Sequence, residues 1–97
     1  MLKGRKLART NKNDAFVFVH GKKTKMLNLS NGGMCIQNNE MLNFLQEGMH
    51  IKVVFQLCRT KIVEDFVVRY ILNDKIGLQF ADEKTLSPQQ RVIAYQN

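Results

Sequence analysis

The alternation of apolar and polar residues along the chain predicts short β-strands rather than helices. Three early runs are rich in β-branched, aromatic and other apolar residues, and turn-forming residues such as His20-Gly21 separate them, which is typical of antiparallel strands. These runs predict strands at about residues 14–20, 24–29 and 34–37. The polar stretch NLSNGG, residues 28–33, separates the second strand from the third.

The middle of the chain continues this pattern. Residues 40–46 fit either a loop or one helical turn. Further strands are predicted at residues 50–57, 60–72 and 76–80, because apolar side chains recur there with strand-like spacing. Asn73-Asp74-Lys75 predicts a hairpin turn between the last two strands.

Two local signals complete this prediction. Glu64-Asp65 interrupts the centre of the fifth strand, and we predict a bulge or bend there. Ser87-Pro88 is typical of a helix N-cap followed by proline at the first helical position, so we expect a short helix over about residues 89–95. Many short strands and one terminal helix predict a mainly β fold, a small antiparallel barrel or roll whose helix covers an edge or a mouth.

The charge of the chain indicates an anionic partner. The 97 residues carry a formal net charge of +7, and their apolar fraction of 44% is ordinary for one globular domain. The excess of basic charge favours nucleic acid, a nucleotide, an acidic membrane or an acidic protein. In the first 25 residues, eight basic side chains accompany only one acid, Asp14. A solvated basic arm is the competing interpretation.

The sequence offers little for catalysis, metal binding or membrane insertion. Cys35 and Cys58 lie in apolar runs without metal-ligand spacing, so we expect two buried free thiols in a reducing compartment. No segment approaches the ~18 apolar residues that span a membrane. His20 and His50 have no nucleophile or acid at catalytic spacing. We therefore expect a cytoplasmic protein, or a cytoplasmic module of a larger one, that is not an enzyme and holds no metal or cofactor.

Two short stretches carry the candidate binding chemistry. Arg5 and Arg9 are four residues apart, and each guanidinium can pair with a phosphate or a guanine edge, or stack on a purine. In NLSNGG, Asn28 offers a carboxamide, Ser30 a hydroxyl, and Gly33 room for a ligand beside the backbone. Taken singly, the stretches are explained as well by solvated arginines and by local turns.

The ordered combination of these residues resembles the PilZ domain family, whose two motifs bind the bacterial second messenger cyclic di-GMP. The matching positions are Arg5, Arg9, Asn28, Ser30 and Gly33. A late strand of the form Gly-hydrophobic-x-Phe is present at residues 77–80, so the resemblance covers about residues 4–82. Two positions differ from the commonest pattern. Asn28 stands where aspartate is more frequent, and Gly4 stands where some members carry a larger or basic residue.

The resemblance implies a fold and a domain organisation. The implied fold is a six-stranded antiparallel β-barrel, the split barrel of the PilZ family, with a short C-terminal helix. Residues 1–97 would form one domain. Within it, residues 1–13 would be a basic flexible arm, residues 14–82 the barrel and residues 87–97 the helix.

The resemblance also implies a ligand and a mechanism. The two arginines of the arm would clamp guanine edges and phosphates of cyclic di-GMP. Asn28 and Ser30 would hydrogen-bond a guanine, and Gly33 would leave room for it. Arg69 in the fifth strand is a further candidate, although a solvated strand residue explains it as well. Ligand binding would order the arm and change the surface that a downstream protein partner contacts.

Two other functions stay open. A small basic β-barrel that binds single-stranded nucleic acid needs exposed aromatic side chains. The phenylalanines of the strands fall mostly in core-like patterns, so we predict no stacking platform and do not expect nucleic acid as a partner; these residues are Phe16, Phe18, Phe55, Phe66 and Phe80. The third possibility is a PilZ-like adaptor that contacts proteins without binding the nucleotide, and the intact arginine pair argues against it.

Overall fold

Six antiparallel strands close into a barrel, and one short helix follows them. The structure is a computed structural model that describes residues 15–82 and 86–96. Within these residues the elements are β1 (Phe16–Val19), β2 (Lys22–Leu29), β3 (Gly33–Gln37), β4 (His50–Leu57), β5 (Thr60–Ile71), β6 (Lys75–Phe80) and α1 (Pro88–Gln96). Between β3 and β4, Glu40–Leu42 form one turn of 3-10 helix, the helical alternative of the prediction for residues 40–46. The strands neighbour one another in the closed order β1-β2-β3-β6-β5-β4. The prediction of a mainly β, six-stranded antiparallel barrel with a short C-terminal helix is confirmed.

Alternate side chains of the strands fill the interior of the barrel. In β4, Ile51, Val53 and Phe55 are buried, because successive strand residues point to opposite faces of a sheet. Phe66 of β5 packs between Phe55 and Phe80, with ring centroids 6.4 and 4.6 Å apart. Apolar side chains therefore occupy most of this interior.

The phenylalanines of β1 face outward, contrary to the core-like pattern that the sequence indicates. Val17 and Val19 are fully buried, and Phe16 and Phe18 are each 42% exposed. The sequence FVFV is apolar in both phases of a strand, so alternation alone could not decide which pair lies inside. Cys58 is also exposed rather than buried, because it lies in the turn between β4 and β5.

The irregularity of β5 lies at a different place from the one predicted. Glu64 and Asp65 continue the regular ladder with β4, and the Asp65 carboxylate forms an ion pair with Lys52 at 2.9 Å. The register instead shifts between Val68 and Tyr70. The two acids therefore do not mark a bulge, because both keep regular pairing with β4.

The helix is anchored to the barrel by one arginine. Arg91 is 2% exposed, and its Nη1 lies 3.1 Å from Glu64 Oε2 and 3.2 Å from Asp82 Oδ2. The guanidinium also lies 3.5 Å from the centroid of the Phe80 ring, a cation–π contact. The predicted N-cap is confirmed, since the Ser87 hydroxyl accepts a hydrogen bond from the backbone N–H of residue 90 at 3.2 Å.

Candidate functional site on the outer wall

A row of four residues crosses four neighbouring strands at the candidate site. Asn28 of β2 pairs with Cys35 of β3. Cys35 pairs in turn with Gly77 of β6, which pairs with Tyr70 of β5. Paired residues of adjacent strands face the same side of a sheet, and the residues on either side of Cys35 and Gly77 belong to the core. The row therefore lies on the outer wall.

Tyr70 covers the middle of this row. A Cβ added at Gly77 would overlap the Tyr70 ring, so the ring lies directly against the glycine. The Tyr70 hydroxyl donates to Cys35 Sγ at 3.9 Å. This hydrogen bond is the main cause that raises the pKa of the Tyr70 phenol above its ordinary 10.0, and the nearby Cys35 charge adds to it. The phenol is therefore neutral at physiological pH, and its ring, 40% exposed, offers a flat surface.

Two strand irregularities turn polar side chains toward this surface. In β2 the register shifts between Met26 and Asn28, so Leu27 and Asn28 are both exposed. In β5 the shift between residues 68 and 70 exposes both Arg69 and Tyr70. An extra residue in one strand interrupts its alternation. As a result, Arg69 reaches the outer wall beside the row to which Asn28 belongs.

The NLSNGG stretch forms a closed turn rather than an open loop. The backbone N–H of Ser30 donates to the Gly33 carbonyl at 2.8 Å, and the Ser30 hydroxyl donates to the same oxygen at 3.3 Å. The Gly32 carbonyl accepts from the backbone N–H of Phe80 at 2.9 Å. These bonds tie the turn to β6 and hold the exposed Ser30 in place, as the local-turn interpretation predicts.

Gly33 is required by the barrel itself. Its φ is not positive, so turn conformation does not demand glycine here. A Cβ at this position would overlap the Leu78 carbonyl oxygen and lie 2.9 Å from Gln79 Cα. Backbone of β6 therefore occupies the space that a side chain would fill. The sequence motif identified Gly33 correctly as a position of close approach. The group that approaches it is the backbone of β6 rather than a ligand.

The predicted site residues within the described part of the chain share one surface depression. Asn28, Ser30, Gly33 and Arg69 line a depression of about 180 Å³, together with Tyr70. The structure thus brings Arg69 next to the NLSNGG turn, from which it is distant in sequence. Arg5 and Arg9 lie outside the described residues. Their placement at this depression stays a prediction.

Tyr70 is the site residue that sequence reasoning missed. The turn predicted at residues 73–75 sets Tyr70 opposite Leu78, whereas the observed two-residue turn, Asn73-Asp74, sets Tyr70 opposite Gly77. An aromatic residue opposite a glycine on the next strand commonly lies across it. Antiparallel register counted outward from the predicted turn is wrong by one residue, so it does not place the ring over the glycine.

Neither a metal site, nor a membrane-spanning helix, nor a similarity to known proteins adds to the description of this site. Among the residues that the structure describes, no group of three or more His, Cys, Asp or Glu could hold a metal ion. In the same residues, no helix is both long and apolar enough to cross a membrane. Neither protein-family models nor curated proteins match this chain. The PilZ resemblance therefore rests on the motif residues themselves.

Proposed function

We propose that this protein is a bacterial, cytoplasmic receptor for cyclic di-GMP. The observation that carries the proposal is the convergence of Arg69, Asn28 and Ser30 on one depression beside an exposed tyrosine ring. A guanidinium, an amide, a hydroxyl and an aromatic ring are groups that can recognise a guanine nucleotide. The net charge of +7 favours an anionic ligand of this kind.

Each side chain has a distinct role in the proposed complex. Arg69 pairs with a phosphate or with the O6/N7 edge of a guanine. The carboxamide of Asn28 accepts from the guanine N1–H or N2–H, and the Ser30 hydroxyl bonds a base or a phosphate. The Tyr70 ring provides a stacking surface for the base. Gly33 acts indirectly, because it lets β3 and β6 approach and so positions the turn.

The size of the depression indicates how much of the ligand it holds. A volume of about 180 Å³ is below the ~300–1,000 Å³ of pockets that enclose a complete small ligand. One guanine fits there, and the rest of a cyclic dinucleotide extends over the surface. Arg5 and Arg9 then supply the remaining contacts from the arm. Ordering of the arm around the ligand changes the surface offered to a downstream protein partner.

Isothermal titration of the full chain with cyclic di-GMP tests this function. We expect binding of cyclic di-GMP with a weaker response to GTP, and we expect Arg9→Ala or Arg69→Ala to weaken cyclic di-GMP binding about tenfold or more, because each removes a charged hydrogen bond. Lys61→Ala is the matched control, since Lys61 lies near the start of β5 and does not line the depression. Absence of cyclic di-GMP binding by the folded protein would refute the receptor function and leave the protein-binding adaptor.

A further inference from the structure

A second surface combines exposed aromatic rings with basic side chains. It lies on the outer wall across β1, β4 and the adjoining ends of β2 and β5, and it encloses about 780 Å³. We call it the basic aromatic groove and define it by Phe16, Phe18, Lys23, Gln56, Arg59 and Lys61. None of these residues lines the depression beside Tyr70. The groove is therefore a separate surface.

The strand register places the rings in the centre of the groove and the charges on both sides. Phe18 pairs with Lys23 of β2 on one side and with Val54 of β4 on the other. Beyond Val54, Gln56 pairs with Lys61 of β5. A basic residue thus stands on each side of the phenylalanines.

The cations of the groove are available to a ligand. Within residues 15–82 and 86–96, the ion pairs of the structure involve Lys52 and Arg91 and none involves Lys23, Arg59 or Lys61. Lys23 instead places its Nζ 4.4 Å from the centroid of the Phe16 ring. A lysine side chain is flexible, so it can exchange this contact for a phosphate oxygen and uncover the ring.

The turn between β4 and β5, at one end of the groove, has an arginine at a position where glycine is usual. Cys58 and Arg59 form the two-residue turn between β4 and β5 with φ of 53° and 66°. Such turns favour Asn-Gly, because L-residues other than Gly, Asn and Asp enter the left-handed region at a cost. Arg59 therefore makes this turn less stable than glycine would, and its guanidinium lines the groove.

We propose that the basic aromatic groove binds single-stranded nucleic acid. Phe16 and Phe18 are alternate residues of one strand, about 7 Å apart, so each ring can stack on its own base. Lys23 on one side and Arg59 and Lys61 on the other can contact the phosphates. The core-like sequence pattern of the phenylalanines argued against nucleic acid, and the exposure of these two rings removes that objection.

The same observations favour nucleic acid over an acidic peptide. Carboxylates would use the cations of the groove but would leave two neighbouring phenylalanine rings exposed to water. Bases stack on aromatic rings without regard to sequence, and phosphates pair with the flanking cations. A single strand satisfies both parts of the groove, and a duplex cannot present its base faces to the rings.

Fluorescence anisotropy with a labelled oligothymidylate of about 12 nucleotides, within the ~4–16-nucleotide range of small barrels, tests the proposal on the full chain. We expect binding that weakens as salt rises. In Lys61→Ala, the slope of log affinity against log salt concentration should be smaller by about 0.7, because each phosphate contact of a single strand contributes about that amount. The double variant Phe16→Leu/Phe18→Leu should bind about fivefold more weakly or worse. It keeps apolar side chains on β1, and a thermal melt verifies its fold.

Matched controls separate this groove from the rest of the surface. Phe44→Leu removes a partly exposed ring outside the groove, and Lys75→Ala removes a cation from the strand opposite β1 in the barrel order. Both should bind as the original chain does. Ser30→Ala should also keep full oligonucleotide affinity, so failure of the cyclic di-GMP proposal would not affect this result. The proposal is refuted if the double variant binds normally, if a duplex binds as tightly, or if a poly-glutamate peptide displaces the oligonucleotide at equal charge.

Discussion

At the scale of single residues, two glycines show how the same residue type serves two different contacts. Gly33 makes room for the backbone of β6, and Gly77 makes room for the ring of Tyr70. A strand backbone cannot move without breaking its ladder. A partly exposed tyrosine ring can rotate away from a new methyl group.

This difference predicts unequal costs for two chemically identical substitutions. Gly33→Ala should lower the free energy of unfolding by about 1–3 kcal/mol or more, the range for inserting atoms into a packed site. Gly77→Ala should cost less, because Tyr70 can yield. Urea denaturation of the two variants gives the comparison, and Gly32→Ala, which has open space at its Cβ, is the control. Equal losses in the first two variants would contradict this account.

At the scale of elements, two hairpins of the barrel differ in the chemistry of their turns. The turn between β1 and β2 is His20-Gly21, with φ of 51° and 80°, and glycine occupies its second position. The turn between β4 and β5 is Cys58-Arg59 and has no glycine. The second hairpin therefore retains strain that the first relieves.

Replacing the second turn should stabilise the barrel. The double variant Cys58→Asn/Arg59→Gly supplies the residues that this turn favours, and we expect a gain of about 1 kcal/mol in the free energy of unfolding. The same variant removes a cation from the basic aromatic groove, so oligonucleotide affinity should fall as stability rises. Cys58→Asn alone, which keeps the arginine, is the control for affinity. A stabilised variant with unchanged oligonucleotide affinity would show that Arg59 does not contact nucleic acid.

The elements also show what the sequence could predict. Period-two alternation located β4 to the residue, and the predicted turn at residues 73–75 located the hairpin of β5 and β6. Alternation failed where both phases are apolar, as in FVFV of β1. It also failed at the irregularities of β2 and β5, because an extra residue alters the pairing without leaving a compositional signal. Asn28 and Ser30 were found from their motif, whereas the arrangement around Tyr70 depended on register.

At the scale of the whole molecule, Arg91 joins parts of the chain that are distant in sequence. Its guanidinium contacts Glu64 of β5, Asp82 after β6, and the ring of Phe80. Val92, the next residue of α1, belongs to the core of the barrel. The Arg91 guanidinium and the buried Val92 side chain therefore attach the helix to the wall together.

Removing this guanidinium should destabilise the whole fold. Arg91→Met keeps an apolar stem but leaves Glu64, which is largely buried, without its cation. We expect a loss of about 3 kcal/mol in urea denaturation, as for other broken buried pairs. The double variant Arg91→Met/Glu64→Leu should recover part of that loss, because the unpaired carboxylate is gone. A double variant no more stable than the single one would show that the ion pair is not the cause.

Closure of the barrel limits how any partner can be recognised. Each of the six strands that the structure describes has two hydrogen-bonded neighbours, so among these residues no strand lies along an open sheet edge over its whole length, although the end of β2 extends beyond β1. The barrel therefore offers a peptide little backbone for strand addition, the mode in which backbone bonds provide affinity regardless of side chains. Recognition must depend on side chains that project from a fixed wall. Selection can consequently change the ligand of such a protein by point substitution while the fold stays the same.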